Sequence, residues 1–407
     1  MKGMDERDVV YPPKFNKKID WPLYFFFVRL CAYPLMSLFE PSFVRMLADP
    51  AVKTVMVCGC GGGFDFVHGQ TLYPELKRLG KKVVLASFTF GRVDRFEDAK
   101  PYWSYSRCKD ESTCVLINGS TKLKKEAEGH YAPDLLVCQF LDIKFPDEAP
   151  HSMYTMYARD FSLRALHELY SKICKEHSVD AVVIVDGGTD SIMAGDERGL
   201  GDPIEDAVSV GAVSELKNLR WKLLINMGFG CDRFNHVSDA SSLRAVAELT
   251  RMGGFRGCIS LEQTMPCFQY YKELLDYIYK HQSFHSVIAS SIVASGQGWF
   301  GCDTVPPSLS SRMGPKQLYL WPLMAQLWAF DIDTVVKRSF LIQAIKKPES
   351  FPDMMAAAIP FIRGDAKAKR KVVTSPETKE ADVIPKTFAK RKVENLPRQD
   401  EFSVSYT

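Results

Sequence analysis

The sequence predicts an α/β fold: a doubly wound, mostly parallel sheet with helices on both faces. Three stretches predict it. Thr54–Cys58 (TVMVC), Ala181–Val185 (AVVIV) and Lys222–Met227 (KLLINM) are short apolar runs, and each breaks abruptly into glycines and an aspartate. Apolar runs without alternation suit strands buried on both faces, the pattern of parallel sheets covered by helices. The turns that follow are CGCGGGFD (Cys58–Asp65), DGGTD (Asp186–Asp190) and GFGCD (Gly228–Asp232). In a parallel sheet all three fall on the carboxyl edge, where open α/β sheets bind ligands.

The chain in order supports this frame. Residues 1–20 are polar and aperiodic, and Trp21–Phe43 is dense in aromatics but interrupted by Arg29 and Pro34. Those interruptions disfavour a membrane span and predict a broken amphipathic helix, so residues 1–50 read as an aromatic cap segment. After the first glycine turn a helix runs to Leu79 with Gly80 as its stop, and Val83–Ser87 is the next strand, a right-handed βαβ unit. Phe88–Asn118 reads as long loops with short elements, Leu135–Phe140 as a strand, and Phe161–His177 as an amphipathic helix. Asp202-Pro203-Ile204-Glu205 places an acceptor, a proline and a glutamate where a helix start needs them, and that helix runs to about Asn218. Asp239–Met252 and Phe268–Lys280 read as helices, Val287–Ser295 as an apolar small-residue run, and Trp321–Phe330 and Thr334–Ile345 as the last two helices. The α/β domain thus spans residues 51–345, and residues 346–407 form a mostly disordered basic tail.

Charge and cysteine usage bound the function. The net charge of +3 is too small for a nucleic-acid-binding folded domain. Arg363–Thr407 holds 11 Lys and Arg against 7 Asp and Glu, so the basic character belongs to the tail. Its clusters Lys367–Lys371 and Lys390–Lys392 are compatible with a nuclear-import signal, although a solubilising tail is the plainer reading. Eleven cysteines without a C-x-x-C pair read as reduced, buried thiols of a cytoplasmic protein.

The turns carry the candidate chemistry. Glycine at a strand end lets backbone N–H groups approach a ligand, which nominates Gly61, Gly62, Gly63, Gly187, Gly188 and Gly230, with Thr189 beside them. A dinucleotide fingerprint from Gly59 would need glycine at position 64, where Phe64 stands. No acid follows the second strand, and no glycine-lysine-Ser/Thr follows for a phosphate loop. Asp65 at a helix start repels a bare phosphate. Together with Asp186, Asp190, Asp196, Glu197 and Asp232 it favours ribose-type hydroxyls, an amine, or a divalent cation bridging to phosphate. Neutral hydroxyl recognition and Mg²⁺ are the two preferred readings. Asp186 and Asp190 are the candidate cation ligands, Asp65 or Glu197 the candidate general acid or base, and Asp232 a ligand-binding candidate. Asp202, Glu205 and Asp206 are better explained as helix-start residues. Cys58 and Cys60 lack an adjacent base. His68 and His236 each follow a glycine–acid turn, but each alone reads more simply as an ordinary histidine.

The order of these motifs (a glycine run with Phe64-Asp65, then VDGGTDSIMAGDE, then MGFGCD) resembles an uncharacterised family with archaeal and bacterial members, the domain of unknown function 1152. The resemblance covers about Val52–Ile345 and implies a Rossmann-like fold without supplying a reaction. It points to Gly61, Gly62, Gly63, Asp65, Asp186, Gly187, Gly188, Asp190, Gly195, Glu197, Gly230 and Asp232. Two departures stand out: Thr189 is interposed in the second turn, and Arg233-Phe234 replaces the Gly-Glu pair anticipated after Asp232. The leading functional reading is an enzyme, a hydrolase or transferase, acting on a small hydroxyl-rich metabolite of nucleoside or sugar type. The alternatives are a non-catalytic ligand sensor or scaffold and a nicotinamide-dependent oxidoreductase. Oligomeric state is not legible.

Overall fold

The computed structural model describes residues 40–363, apart from 108, 109, 128, 130, 198, 202 and 316. The aromatic stretch before Glu40 and the basic clusters of the tail lie outside the described residues.

Among the described residues, nine strands form one mixed sheet in the order β3-β4-β5-β2-β1-β6-β7-β9-β8. They are β1 (Thr54–Gly59), β2 (Lys82–Thr89), β3 (Lys100–Arg107), β4 (Asp110–Asn118), β5 (Ser152–Tyr157), β6 (Ala181–Asp186), β7 (Trp221–Asn226), β8 (Phe255–Ser260) and β9 (Gln326–Asp331). The five central strands β5-β2-β1-β6-β7 are parallel, and antiparallel pairs extend both edges. All six residues of β1 and of β6 are buried. That burial is why these strands show no alternation: one face packs with Met56, Cys58, Val182 and Ile184, the other with Val55, Val57, Val183 and Val185. Helices Leu163–His177 and Pro203–Ser214 cover the first face, and Pro133–Lys144 and Pro266–His281 cover the second.

Four segments differ from the sequence reading. Leu135–Phe140 lies inside the helix Pro133–Lys144, which starts on a proline at its first position. It is buried on nearly every side, so its apolar run mimics a strand. Phe88–Asn118 contains the edge hairpin β3–β4, whose alternation is broken by a register shift between Pro101 and Trp103. Trp103 and Tyr105, two apart and stacked at 5.7 Å, mark one face of that edge. Trp321–Phe330 is a single 3₁₀ turn (Pro322–Ala325) followed by β9, which is paired on both sides by β7 and β8. Sheet pairing there overrides local propensity. Thr334–Ile345 divides into two helices, Ile332–Arg338 and Phe340–Ile345, because Ser339 ends one and caps the next through a hydrogen bond to the Ile342 N–H. Past residue 345, Phe351–Ile362 is a further helix with Met354, Ala358 and Phe361 buried.

The chain moves from β1 outward to β2, then returns to the other side of β1 as β6. The carboxyl ends of β1 and β6 therefore flank the switch point, where this architecture opens a crevice. Among the described residues the cysteines are free, and no helix is long and apolar enough to cross a membrane.

Candidate functional site

Parallel pairing brings the three glycine–acid turns together, since β6 hydrogen-bonds β1 on one side and β7 on the other. Asp65 opens the short helix Asp65–His68, Asp186 closes β6, and Asp206 is the fourth residue of Pro203–Ser214. Carboxylate oxygens of these three lie within 4.8 Å of one another. All three residues are buried, at 8%, 3% and 5% exposure, and no described Lys or Arg pairs with any of them.

Each acid is held differently. Asp65 accepts the Gly61 N–H at 2.7 Å and the Gly187 N–H at 3.1 Å, clasping the first turn to the second. Asp186 accepts the Ser191 hydroxyl at 2.5 Å and the Asn226 side-chain amide at 2.6 Å. Asp206 leaves its buried Oδ1 without a partner. Asp232 accepts the Thr189 N–H at 2.6 Å and is buried, as is Asp190 at the start of the 3₁₀ turn Asp190–Ile192.

Crowded like charges in a dry place must take up protons or a cation. Burial pushes the Asp65 carboxyl up to about 8, partly offset by its two backbone hydrogen bonds, with Asp190 and Asp232 adding to the rise. Burial and the neighbouring acids also push Asp186, Asp206 and Asp232 well above the carboxylate range. Cys60 is pushed up by burial and by Asp206, and Cys58 by burial, so neither offers a ready thiolate.

The glycines seat these carboxylates. A Cβ on Gly61 would stand 2.5 Å from Asp206 Oδ1, one on Gly188 2.5 Å from Asp232 Oδ2, and one on Gly187 2.4 Å from His68 Nε2 and 3.0 Å from Asp65 Oδ1. Gly62 lies under the Phe90 ring, and Gly63, at φ +74°, presents its carbonyl to the Tyr131 hydroxyl. Tyr131 is fixed in turn by Arg95, which donates to its carbonyl at 2.7 Å and pairs with the fully buried Asp134. Gly230, at φ +90°, is tucked beside Trp321, whose indole N–H donates to the Phe229 carbonyl at 2.7 Å.

Glu197 is engaged elsewhere: it accepts the Ala194 and Gly195 N–H groups and pairs with Arg338 at 3.3 Å. Asp196 is exposed, and so is His236, which ends the turn Cys231–Asn235. Asp206 is the acid that sequence reasoning set aside. One signal was present: acceptor, proline and Glu205 already complete the helix start, so an additional acid one position further on has no capping duty. Glu205 instead pairs with Arg159 at 3.1 Å.

His68 does reach the site. Its ring is 1% exposed, Nδ1 lies 2.6 Å from the Tyr271 hydroxyl, and Nε2 has no partner. Only the fold could show this, because Tyr271 stands on the distant helix Pro266–His281.

A family model described as a protein of unknown function (DUF1152) matches residues 56–360. No curated protein and no solved structure matches the chain.

Proposed function

The chain belongs to the DUF1152 family, whose description carries no activity, and from its site we propose a divalent-cation-dependent enzyme acting on a hydroxyl-rich small molecule. The observation that carries this is the buried triad Asp65, Asp186 and Asp206, with oxygens within 4.8 Å and no described cationic side chain against them. An all-oxygen, acid-rich donor set suits a hard cation, Mg²⁺ before Ca²⁺ or Mn²⁺ in a cell. The unpartnered Asp206 Oδ1 fits a cation in the same way.

When bound, the cation would supply Lewis acidity toward a ligand oxygen or a water, the chemistry of metal-assisted hydrolysis or group transfer. Asp65, Asp186 and Asp206 would hold it. Ser191 and Asn226 orient Asp186, and the Gly61 and Gly187 N–H groups orient Asp65. Asp190 and Asp232 add two more buried carboxyls, groups that suit neutral hydroxyls, as in a nucleoside or a sugar, better than a bare anion. A nicotinamide role is poorly served, because Phe90, which follows β2, covers Gly62 where a pyrophosphate would approach. The burial of all three acids gives a second reading some support, a sensor that binds the cation and ligand without turnover.

The test is titration of chelator-treated protein with Mn²⁺, followed by the resonance of the free ion. One tight site is expected in the wild type, and it should be lost in Asp186→Asn with the far-ultraviolet circular dichroism unchanged. A thermal-shift screen of nucleosides, nucleotides and sugar phosphates with and without Mg²⁺ then identifies the ligand class. Equal Mn²⁺ binding by wild type and Asp186→Asn would remove the proposal.

A further inference from the structure

Resting on that reading of the site, we infer that His68 is not a cation ligand but a neutral Nε2–H donor, positioned by Tyr271, for a ligand oxygen held in the acid site. The argument is hydrogen-bond accounting within a closed pair. Tyr271 is 0% exposed, and its hydroxyl has His68 Nδ1 as its sole partner among the described residues, at 2.6 Å.

Two arrangements are open to the pair. If Nδ1–H donated to the tyrosine oxygen, the tyrosine proton would be left buried with no acceptor. If the tyrosine O–H donates to Nδ1, the pair is satisfied and only Nε2–H is left over, whereas the first arrangement leaves both the hydroxyl proton and the Nε2 lone pair unpaired. The second arrangement is therefore preferred, and it puts the imidazole proton on Nε2. A protonated Nε2 has no lone pair for a metal ion, so the ring cannot join Asp65, Asp186 and Asp206 as a fourth ligand.

Nε2 nevertheless faces the site. It is buried without a partner, and the point where a Gly187 Cβ would sit lies 2.4 Å from it and 3.0 Å from Asp65 Oδ1. Any side chain at Gly187 would strike the ring, so glycine there lets Nε2 pack close beside Asp65. Burial holds the imidazole down at about 3, so the ring stays uncharged at neutral pH and donates without being a cation. A ligand that fits offers two oxygens, one toward the carboxylate-held cation and one acceptor toward His68. A carbonyl, hydroxyl or phosphoryl oxygen meets the second requirement, whereas an amine at that position does not.

The tautomer is readable directly. In metal-free protein labelled with ¹⁵N-histidine, long-range proton–nitrogen correlation at neutral pH, with His68 assigned by loss of its signal in His68→Gln, should show a protonated Nε2 and a bare Nδ1. Added Mg²⁺ should leave the Nε2 proton in place, and Tyr271→Phe should release the ring into a mixture of tautomers. A protonated Nδ1 in the wild type, or loss of the Nε2 proton on adding Mg²⁺, would overturn the inference. His68→Leu should keep its Mn²⁺ affinity within about twofold, where loss of a ligand or its support costs about 10–100-fold. The metal-free tautomer decides the role of His68 whether or not a cation binds, and the Mn²⁺ titration of the wild type separately decides the cation site.

Discussion

Two clusters of carboxylates meet at the two ends of one loop, residues 186–197, and they are balanced in opposite ways. At its start, Asp186 joins Asp65 and Asp206 with no described cation against them. At its end, Glu197 and Glu248 share Arg338, whose side chain is 2% exposed and reaches them at 3.3 and 2.8 Å. Arg338 also donates to the Ile192 carbonyl at 2.6 Å, and Arg244 backs Glu248 at 2.9 Å. Burial works to raise the Glu248 carboxyl, but Arg338 and Arg244 outweigh it and hold it below the usual range. In the triad nothing outweighs burial, and the carboxyls rise. The second cluster is electrically complete and fastens the loop to the helix Ile332–Arg338. The first is complete only with protons or a cation from outside.

The largest effect should come from breaking the complete cluster. Arg338→Leu strands Glu197 and frees a bound carbonyl, and losing one member of a buried pair costs about 3–5 kcal/mol. Urea unfolding should show that loss with or without Mg²⁺. A loss below about 1 kcal/mol would mean that the loop does not depend on this pairing.

Asp206→Asn is the mirror experiment. Its amide can donate to the neighbouring carboxylates, so metal-free protein should hold or gain stability instead of losing it. The cost appears only with the cation: a wild type stabilised by about 2.7 kcal/mol at a hundredfold excess over Kd should lose most of that gain. An Asp206→Asn protein that is destabilised without metal would make the triad an ordinary structural cluster.

This contrast also marks what was legible from the sequence. The central strands and their glycine–acid ends stand out because burial on both faces leaves unbroken apolar runs, and Asp65, Asp186, Asp190 and Asp232 follow from them. The edges were illegible for the converse reason: β3–β4 is irregular and half-exposed, and β9 is a strand by virtue of its two neighbours. Asp206 was obscured by a genuine helix start beside it. Glu197 resembled its neighbours, and only the arrival of Arg338, 141 positions on, separates it from them.

pH should move the two clusters in opposite directions. A carboxyl raised in the folded state to about 8, as in Asp65, contributes stability that is complete below its unfolded value near 4 and is lost as pH rises through 8. Glu248, held low, contributes stability that is lost on acidification. His68, lowered by burial from 6.5, weakens the fold only below that pH, so the window from pH 6.5 to 8 isolates the triad. Calorimetry of metal-free protein should show the melting temperature falling across that window, and Mg²⁺ should flatten the fall. A flat metal-free profile would mean that the triad is already ionised across that window and holds no extra proton in the folded state.

The finest probe is Ser191→Ala. Asp186 is held by two side-chain donors, the Ser191 hydroxyl at 2.5 Å and the Asn226 amide at 2.6 Å, and Asn226 also donates to Ser191 at 2.7 Å. Removing the hydroxyl leaves Asp186 its amide partner and lets Asn226 turn fully toward it, so the cost should be about 1 kcal/mol, that of a single hydrogen bond. The sign on cation binding follows from charge. The Ser191 hydroxyl favours the ionised carboxylate, so its loss raises Asp186 further and makes protons stronger competitors for the site. Mn²⁺ should therefore bind several-fold more weakly to Ser191→Ala, and the loss should shrink as pH rises through the range in which the carboxyl ionises. A loss that stays the same at every pH up to about 10 would place Ser191 among the groups that shape the site instead of those that tune its charge.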